Sequence, residues 1–235
     1  MEISIIIPTL NEEELLAKTI EHTLKFASSS SHLEIIVVDA GSTDQTLQSV
    51  QNLPVTVYSK PEFSLKKSES LNFGIEKSNG SVLLFLDADT LLPECFDELI
   101  LEKLANPKVV GGGFAMKFDR ADWRLKTLTL INWMRYTLWK TFYGDQAIYC
   151  RKEAAVAIGG FSATLMEAAY FCRALKKHGK LAVIYTPVIS SSRRFYEHGI
   201  LTVTWFDIRM WGRFVLGLDL ESFRERYWKT NLSDG

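Results

Sequence analysis

Four short apolar runs, each followed by polar and turn-forming residues, set the rhythm of the first ninety residues. Ile3 to Ile7 is β-branched and stopped by Pro8, and Ile35 to Val38, Val55 to Tyr58 and Val82 to Leu86 repeat the pattern. Runs this short, bounded by turn residues, predict buried strands. Between the first two, Glu12, Glu13 and Glu14 predict an acidic first helical turn at the positive end of a helix dipole. That helix continues through Ile20, Leu24 and Phe26 until Ser28 to Ser31 break it. Ser42-Thr43-Asp44 reads as a cap for a helix over Thr46 to Gln51, and Ser68 to Lys77 is a further helix before the turn Asn79-Gly80. This alternation predicts an α/β fold with a mainly parallel sheet covered on both faces. Ligands of such sheets bind beyond the carboxyl ends of the strands, which singles out Asp39 and Asp87.

Beyond Pro93 the rhythm loosens. Helices are predicted over Cys95 to Leu104, Trp123 to Phe142, Lys152 to Ile158, Leu165 to His178 and Gly199 to Tyr227. Strands are predicted over Val109 to Phe118, Ala147 to Cys150 and Ala182 to Tyr185, with Gly144-Asp145-Gln146 as a loop. Neither an internal repeat nor a long linker divides the chain, so residues 1–235 are expected to form one domain.

Composition narrows the partners. With 235 residues the chain can bury a sizeable core, and 47% hydrophobic with 23% charged residues is globular rather than disordered. A formal charge of −1 supplies no general basic face, so no nucleic-acid partner is expected. Cys95, Cys150 and Cys172 are too scattered for a disulfide framework or a Cys-based zinc site and read as reduced, mostly buried thiols of a cytoplasmic protein. His22, His32, His178 and His198 show no ligand spacing. Met1-Glu2 leads directly into the first strand, so no secretory leader is expected. No stretch reaches the roughly 18 apolar residues that cross a bilayer, which leaves any membrane contact to the surface, at the inner face.

The candidate chemistry starts at Asp87-Ala88-Asp89. Two carboxylates two residues apart would point the same way if the strand continued. At a strand end they can instead divide between a metal and a ribose. Hard oxygen donors suit magnesium or manganese, which keep waters and bind substrate phosphates as well. Alone, Asp-x-Asp is a weak signal; behind a strand this apolar, and beside Asp39, it carries more.

Three segments, Ile5 to Glu12, Val37 to Asp44 and Leu86 to Asp89, resemble three successive motifs of family 2 glycosyltransferases with the GT-A fold. Gly144-Asp145-Gln146-Ala147, Gly159-Gly160-Phe161, Leu165-Met166-Glu167 and Ser192-Arg193-Arg194-Phe195 resemble a bacterial subgroup of that family. The resemblance spans about residues 3 to 215. It implies a single GT-A-type domain with a nucleotide-binding half (1–90), an acceptor half (91–198) and a C-terminal helical tail (199–232). It further implies an inverting transferase that takes a sugar from a nucleotide-diphosphate donor, with uracil the usual base. Pro8, Thr9, Leu10, Glu12, Ser42 and Ala88 would line the nucleotide pocket, and Asp39 would accept a hydrogen bond from the base. Asp87 and Asp89 would serve ribose and a manganese or magnesium ion, and Arg193 and Arg194 would clamp the diphosphate unless they sit on a solvated turn. A cation at that place stabilises the negative charge gained by the departing diphosphate.

One position departs from the resemblance. Inverting transfer needs a carboxylate to take the acceptor proton, and Ala168 stands where the family commonly has Asp. Glu167 or Asp145 takes over, or the chain binds nucleotide sugars without transferring them. Adjacent helical residues differ by about 100° in direction, so Glu167 replaces its neighbour only if the segment before the helix is extended. A nucleotidyltransferase is the remaining enzymatic alternative, but it favours a glycine-rich basic loop after the first strand, and Pro8 to Glu14 is acidic without glycine.

Residues 117 to 143 interleave basic side chains with Phe118, Trp123, Trp133, Tyr136, Trp139 and Tyr143. The tail adds Trp205, Trp211, Phe214, Phe223, Tyr227 and Trp228 with Arg209, Arg213, Arg224 and Arg226. Core or an oligomer interface is the preferred reading of these aromatics. A headgroup-layer contact serving a lipid-linked acceptor is the other.

Overall fold

Alternation of side chains along the strands divides two cores between the faces of one sheet. The computed structural model describes residues 2–29, 32–64, 66–162, 165–218 and 220. Its strands are β1 (Ile3–Thr9), β2 (Leu33–Asp39), β3 (Thr56–Ser59), β4 (Val82–Phe85), β5 (Thr90–Leu91), β6 (Val109–Phe118), β7 (Ile148–Arg151) and β8 (Lys180–Ser190). Its α-helices are α1 (Leu16–Phe26), α2 (Thr46–Ser49), α3 (Lys67–Lys77), α4 (Phe96–Leu104), α5 (Trp123–Trp139), α6 (Lys152–Ala157), α7 (Glu167–Leu175), α8 (Arg193–Glu197) and α9 (Ile200–Leu216). Ile3, Ile5 and Ile7 of β1, with Val82 and Leu84 of β4, pack on one face against Leu16, Ile20, Phe96 and Ile100 of α1 and α4. Ile6, Leu83 and Phe85 point the other way, onto Leu71 and Ile75 of α3 and Phe171 and Leu175 of α7. Gly74 lets α3 lie directly on β1, since a Cβ there would stand 2.3 Å from Cγ2 of Ile6.

The strand order is β3-β2-β1-β4-β7-β6-β8-β5. The pairs β3/β2, β2/β1, β1/β4 and β6/β8 are parallel, whereas β7 runs antiparallel to both neighbours and β5 antiparallel to β8. The sheet is therefore mixed and mostly parallel.

Several elements differ from the sequence expectation for local reasons. α1 begins at Leu16, not at Glu12, because Asn11 adopts a left-handed φ of 54° and the Glu12 carbonyl closes a turn on the N–H groups of Leu15 and Leu16. α2 stops after one turn; its N-cap is Gln45, which makes no side-chain cap bond, and Asp44 one residue earlier accepts from the Thr46 N–H at 3.0 Å. β8 runs on to Ser190, past Pro187, which lies where the ladder to β6 slips between Phe114 and Met116. α9 ends at Leu216, where Gly217 takes a left-handed cap at φ 68°. Residues 221–235, which hold the tail aromatics Phe223, Tyr227 and Trp228, lie outside the described residues. Cys150 and Cys172 are buried and Cys95 half-buried, all three as free thiols. No described helix is long and apolar enough to cross a membrane.

Candidate active site

The ends of β1 and β2 are laced together by the polar residues of their loops. The Asn11 N–H donates to Ser42 Oγ at 2.9 Å, and the Thr43 N–H donates back to Asn11 Oδ1 at 2.9 Å. Glu12 N–H donates to Thr46 Oγ1 at 2.8 Å, and Gln45 N–H to Glu13 Oε2 at 2.8 Å. Asp39 closes β2 and is 1% exposed. Its carboxylate accepts from the N–H groups of Gly41 and Ser42 at 3.1 and 3.2 Å, and also from the Ser42 hydroxyl. Glu12 and Glu13 thus brace a loop instead of opening a helix.

Glu12 and the two arginines meet across the chain. Arg193 donates through Nη2 to both carboxylate oxygens of Glu12, at 2.8 and 2.9 Å. Arg194 bonds Asp207 of α9 at 3.2 Å. Both arginines sit in the first turn of the short helix α8, so the solvated-turn reading does not hold. Burial still raises the Glu12 carboxyl above its ordinary value despite Arg193.

β4 ends at Phe85, and Asp87 to Thr90 forms a turn closed by the Thr90 N–H on the Asp87 carbonyl at 3.1 Å. The strand does not continue, yet Asp87 and Asp89 both line one cleft of about 540 Å³. Lys67, from the first turn of α3, bonds Asp87 Oδ1 at 2.6 Å. Burial, then Asp87 and Glu12, push Asp89 up to about 7. Among the described residues no three His, Cys, Asp or Glu side chains are grouped to hold an ion by themselves. Two hard carboxylates with charge in excess fit a divalent cation that takes its remaining ligands from water and phosphate.

Asp145, Glu167 and Ala168 line the same cleft. Met166, before α7, has φ 55°, and this left-handed kink places Glu167 at the mouth of the helix beside its neighbour. The segment before α7 is thus kinked rather than extended, and Glu167 and Ala168 stay about 100° apart in direction; Glu167 reaches the cleft from its own place in the lining. Burial raises the Glu167 carboxyl, opposed by Lys67. Burial also lifts Asp145 to about 6, opposed by Arg135, and its buried Oδ1 has no hydrogen-bond partner among the described residues. Gly144 lies so close that a Cβ there would stand 2.8 Å from Asp87 Oδ2 and 2.9 Å from Lys67 Nζ.

Pro8, Thr9, Leu10, Glu12, Asp39, Ser42, Ala88 and Arg193 do not line this cleft, whereas Asp87, Asp89, Asp145, Glu167 and Arg194 do. Ala88 is 5% exposed, and its carbonyl accepts from the Thr19 hydroxyl at 2.6 Å. Three contributors escaped the sequence reading. Lys67 and Asp207 are single charges without a motif. Arg135, one of the basic side chains interleaved among the aromatics of residues 117–143, is 5% exposed. It donates to the Thr141 carbonyl and Gln146 Oε1, both at 2.7 Å, and stacks 3.6 Å over the Tyr143 ring.

The chain is similar to known glycosyltransferases. The chain is 32% identical over 95 residues to the probable glycosyltransferase YdaM of Bacillus subtilis, covering 37% of this chain and 23% of that one. It is 29% identical over 123 residues to a dolichyl N-acetyl-alpha-D-glucosaminyl phosphate 3-beta-D-2,3-diacetamido-2,3-dideoxy-beta-D-glucuronosyltransferase of Methanococcus voltae, covering 47% and 38%. The chain thus spans about a quarter to two fifths of these relatives. Among solved structures, the mannosyltransferase PcManGT of Pyrobaculum calidifontis, in complex with GDP-Man and Mn2+, superposes with a TM-score of 0.66 at 23% identity, covering 81% of this chain and 56% of that one. Staphylococcus aureus TarS 1-349 with UDP-GlcNAc gives 0.66 at 21%, covering 82% and 59%. These structural likenesses establish a GT-A-like fold. Residues 4–171 match the profile of Glycosyl transferase family 2, and the chain belongs to that family.

Proposed function

We propose that the chain transfers a sugar, with inversion, from a nucleotide-diphosphate donor to an acceptor hydroxyl. The observation that carries this reading is the gathering of Asp87, Asp89, Asp145 and Glu167 in one cleft at the carboxyl end of a central strand. Asp87 and Asp89 would hold a manganese or magnesium ion, which would supply positive charge against the leaving diphosphate. The named relatives support a uridine or guanosine donor, since their structures hold UDP-GlcNAc or GDP-Man. Asp39 and the laced loops of residues 9–12 and 39–46 form the nucleoside side, with uridine the base we favour. Arg193 and Arg194 lie at the diphosphate end. The Methanococcus voltae relative, named for a dolichyl-linked substrate, supports a lipid-linked acceptor.

Glu167 takes the acceptor proton in this reading. It lines the cleft next to Ala168, and its raised affinity for a proton suits a general base. Asp145 is the second candidate, favoured by its unpartnered oxygen and a value near 6.

A screen of UDP- and GDP-sugars by thermal shift, with and without manganese, identifies the donor, because only a ligand favouring the native state raises stability. Calorimetry on Asp89→Ala then tests the metal site: metal-dependent nucleotide affinity should vanish. Binding of the donor without either transfer or hydrolysis would leave a nucleotide-sugar-binding protein that has lost its base.

A further inference from the structure

α5 is built inside out. Leu125, Arg135 and Tyr136 are its buried residues, whereas Leu130, Ile131, Trp133, Met134, Leu138 and Trp139 are all exposed. Between Lys126 and Lys140 the only charge is the buried Arg135. An ordinary surface helix turns its apolar stripe to the core and its charges to water. α9 carries a matching stripe: Leu201, Trp205, Ile208 and Val215 recur at helical spacing and are 54–79% exposed. Patches of this extent mark interaction sites rather than free surface.

The two stripes lead into the candidate active site. Ile131, Met134 and Trp139 from α5 and Ile208 from α9 are exposed on the outside and also line the cleft that holds Asp145 and Glu167. An apolar tail lying on these helices would therefore place its polar end at the carboxylates.

Charge selects the occupant. Besides the buried Arg135, residues 117–140 carry five cations at the surface (Lys117, Arg120, Arg124, Lys126 and Lys140) against Asp119 and Asp122, in a chain whose formal charge is −1. Asp122 is already paired to Arg124 at 2.8 Å. Arg209 lies 4.3 Å over the Trp205 ring on α9. Tryptophans with a basic rim match the headgroup layer of an anionic bilayer. A second copy of the chain would set the same cations against one another. Each helix has 17 residues, and no described helix can cross a bilayer, so the pair must lie in its plane.

We propose that the α5–α9 face docks on a lipid bilayer with anionic headgroups, opening the cleft onto the membrane to receive a lipid-borne acceptor hydroxyl. The docking stands on the surface alone; the delivery of an acceptor rests on the transferase reading.

The test is cosedimentation of the full chain with vesicles of phosphatidylcholine, pure or mixed with phosphatidylglycerol. Binding is expected with the mixed vesicles and should weaken as salt is raised. Leu138→Glu and Trp205→Glu alter exposed side chains that do not line the cleft, and each should weaken binding about tenfold or more. Neither should change the melting temperature or the metal-dependent affinity for nucleotide. Absence of vesicle binding by the wild type, or binding indifferent to both substitutions, overturns the docking while intact donor hydrolysis keeps the transferase reading. A concentration-dependent dimer by analytical ultracentrifugation, broken by Leu138→Glu or Trp205→Glu, would assign the face to self-association and overturn the proposal. Vesicle binding without any nucleotide-sugar binding or hydrolysis would keep the docking and reject the delivery of an acceptor.

Discussion

Gly144→Ala isolates the geometry of the acidic cleft from the stability of the fold. A Cβ at this position would meet Asp87 Oδ2 at 2.8 Å, Lys67 Nζ at 2.9 Å and Asp87 Oδ1 at 3.2 Å. Ordinary contact begins at 3.4 Å, so the carboxylate must retreat by about 0.6 Å and the 2.6 Å ion pair must shift with it. The backbone tolerates the change, because Gly144 does not adopt a positive φ and its neighbours here are side-chain ends. Misplacing a reacting group by about 1 Å can cost on the order of 100-fold in rate, which scales to about tenfold here. Turnover and manganese affinity should therefore fall about tenfold, while the melting temperature stays within a few degrees. Gly212→Ala is the control: its Cβ would meet nothing within 4 Å, and α9 should gain stability of about 0.5–1 kcal/mol. Steady-state kinetics and calorimetry on both variants read the difference. Wild-type turnover in Gly144→Ala, with an altered Asp87 position shown by crystallography, would remove Asp87 from the reaction.

Glu167→Gln should leave nucleotide affinity intact and lower turnover by about 100-fold or more; full turnover, together with its loss in Asp145→Asn, would move the base to Asp145. Asp145→Asn should also reshape the pH dependence of stability in chelator. The native carboxyl binds its proton more tightly than the unfolded one, so wild-type stability falls as pH rises from about 4 to about 6. The gap between about 6 and the ordinary 3.8 corresponds to roughly 3 kcal/mol as an upper bound. The variant should therefore match wild type at pH 4 and exceed it above pH 6 in thermal denaturation; equal curves throughout would contradict the buried-carboxylate reading. Arg135→Met removes the guanidinium that holds the Thr141 carbonyl and Gln146, and should destabilise by about 3 kcal/mol, since the bonded oxygens stay buried; denaturant titration measures this, and a neutral result would mean the pocket repacks.

The first half of the fold was legible because its signals are local. β1 and β4 are apolar runs with alternate residues committed to opposite cores, β2 is a third such run, and their composition marks them as strands regardless of partners. Strand direction was less legible: β7 reads as an apolar run like any other, and only its pairing with β4 and β6 makes it antiparallel. β5 is two residues long and exists because β8 offers Ile189 and Ser190 to pair with, which no local pattern encodes. α5 was legible only in part. Its interleaved aromatics and cations suggested a core or interface helix with a basic side, yet Arg135 turned inward and Leu138 and Trp139 turned out.

At the site, residue identity was legible and electrostatic coupling was not. Glu12, Asp87, Asp89, Asp145 and Glu167 come from four separate segments, and each acidic motif reads independently of the others. Burial raises Glu12, Asp89, Asp145 and Glu167, and folding brings them close enough that Asp87 adds to each shift, against Lys67, Arg135 and Arg193. A pyrophosphate entering such a cluster alone would add like charge to a half-buried, low-dielectric cleft, where repulsion is poorly screened. The same acids become favourable once positive charge accompanies the donor, because the cation offsets both sets of anions at once. The excess of carboxylates is thus a structural argument for binding donor and divalent cation as a unit. It also explains why Lys67 alone, already engaged with Asp87, is an insufficient counter-charge.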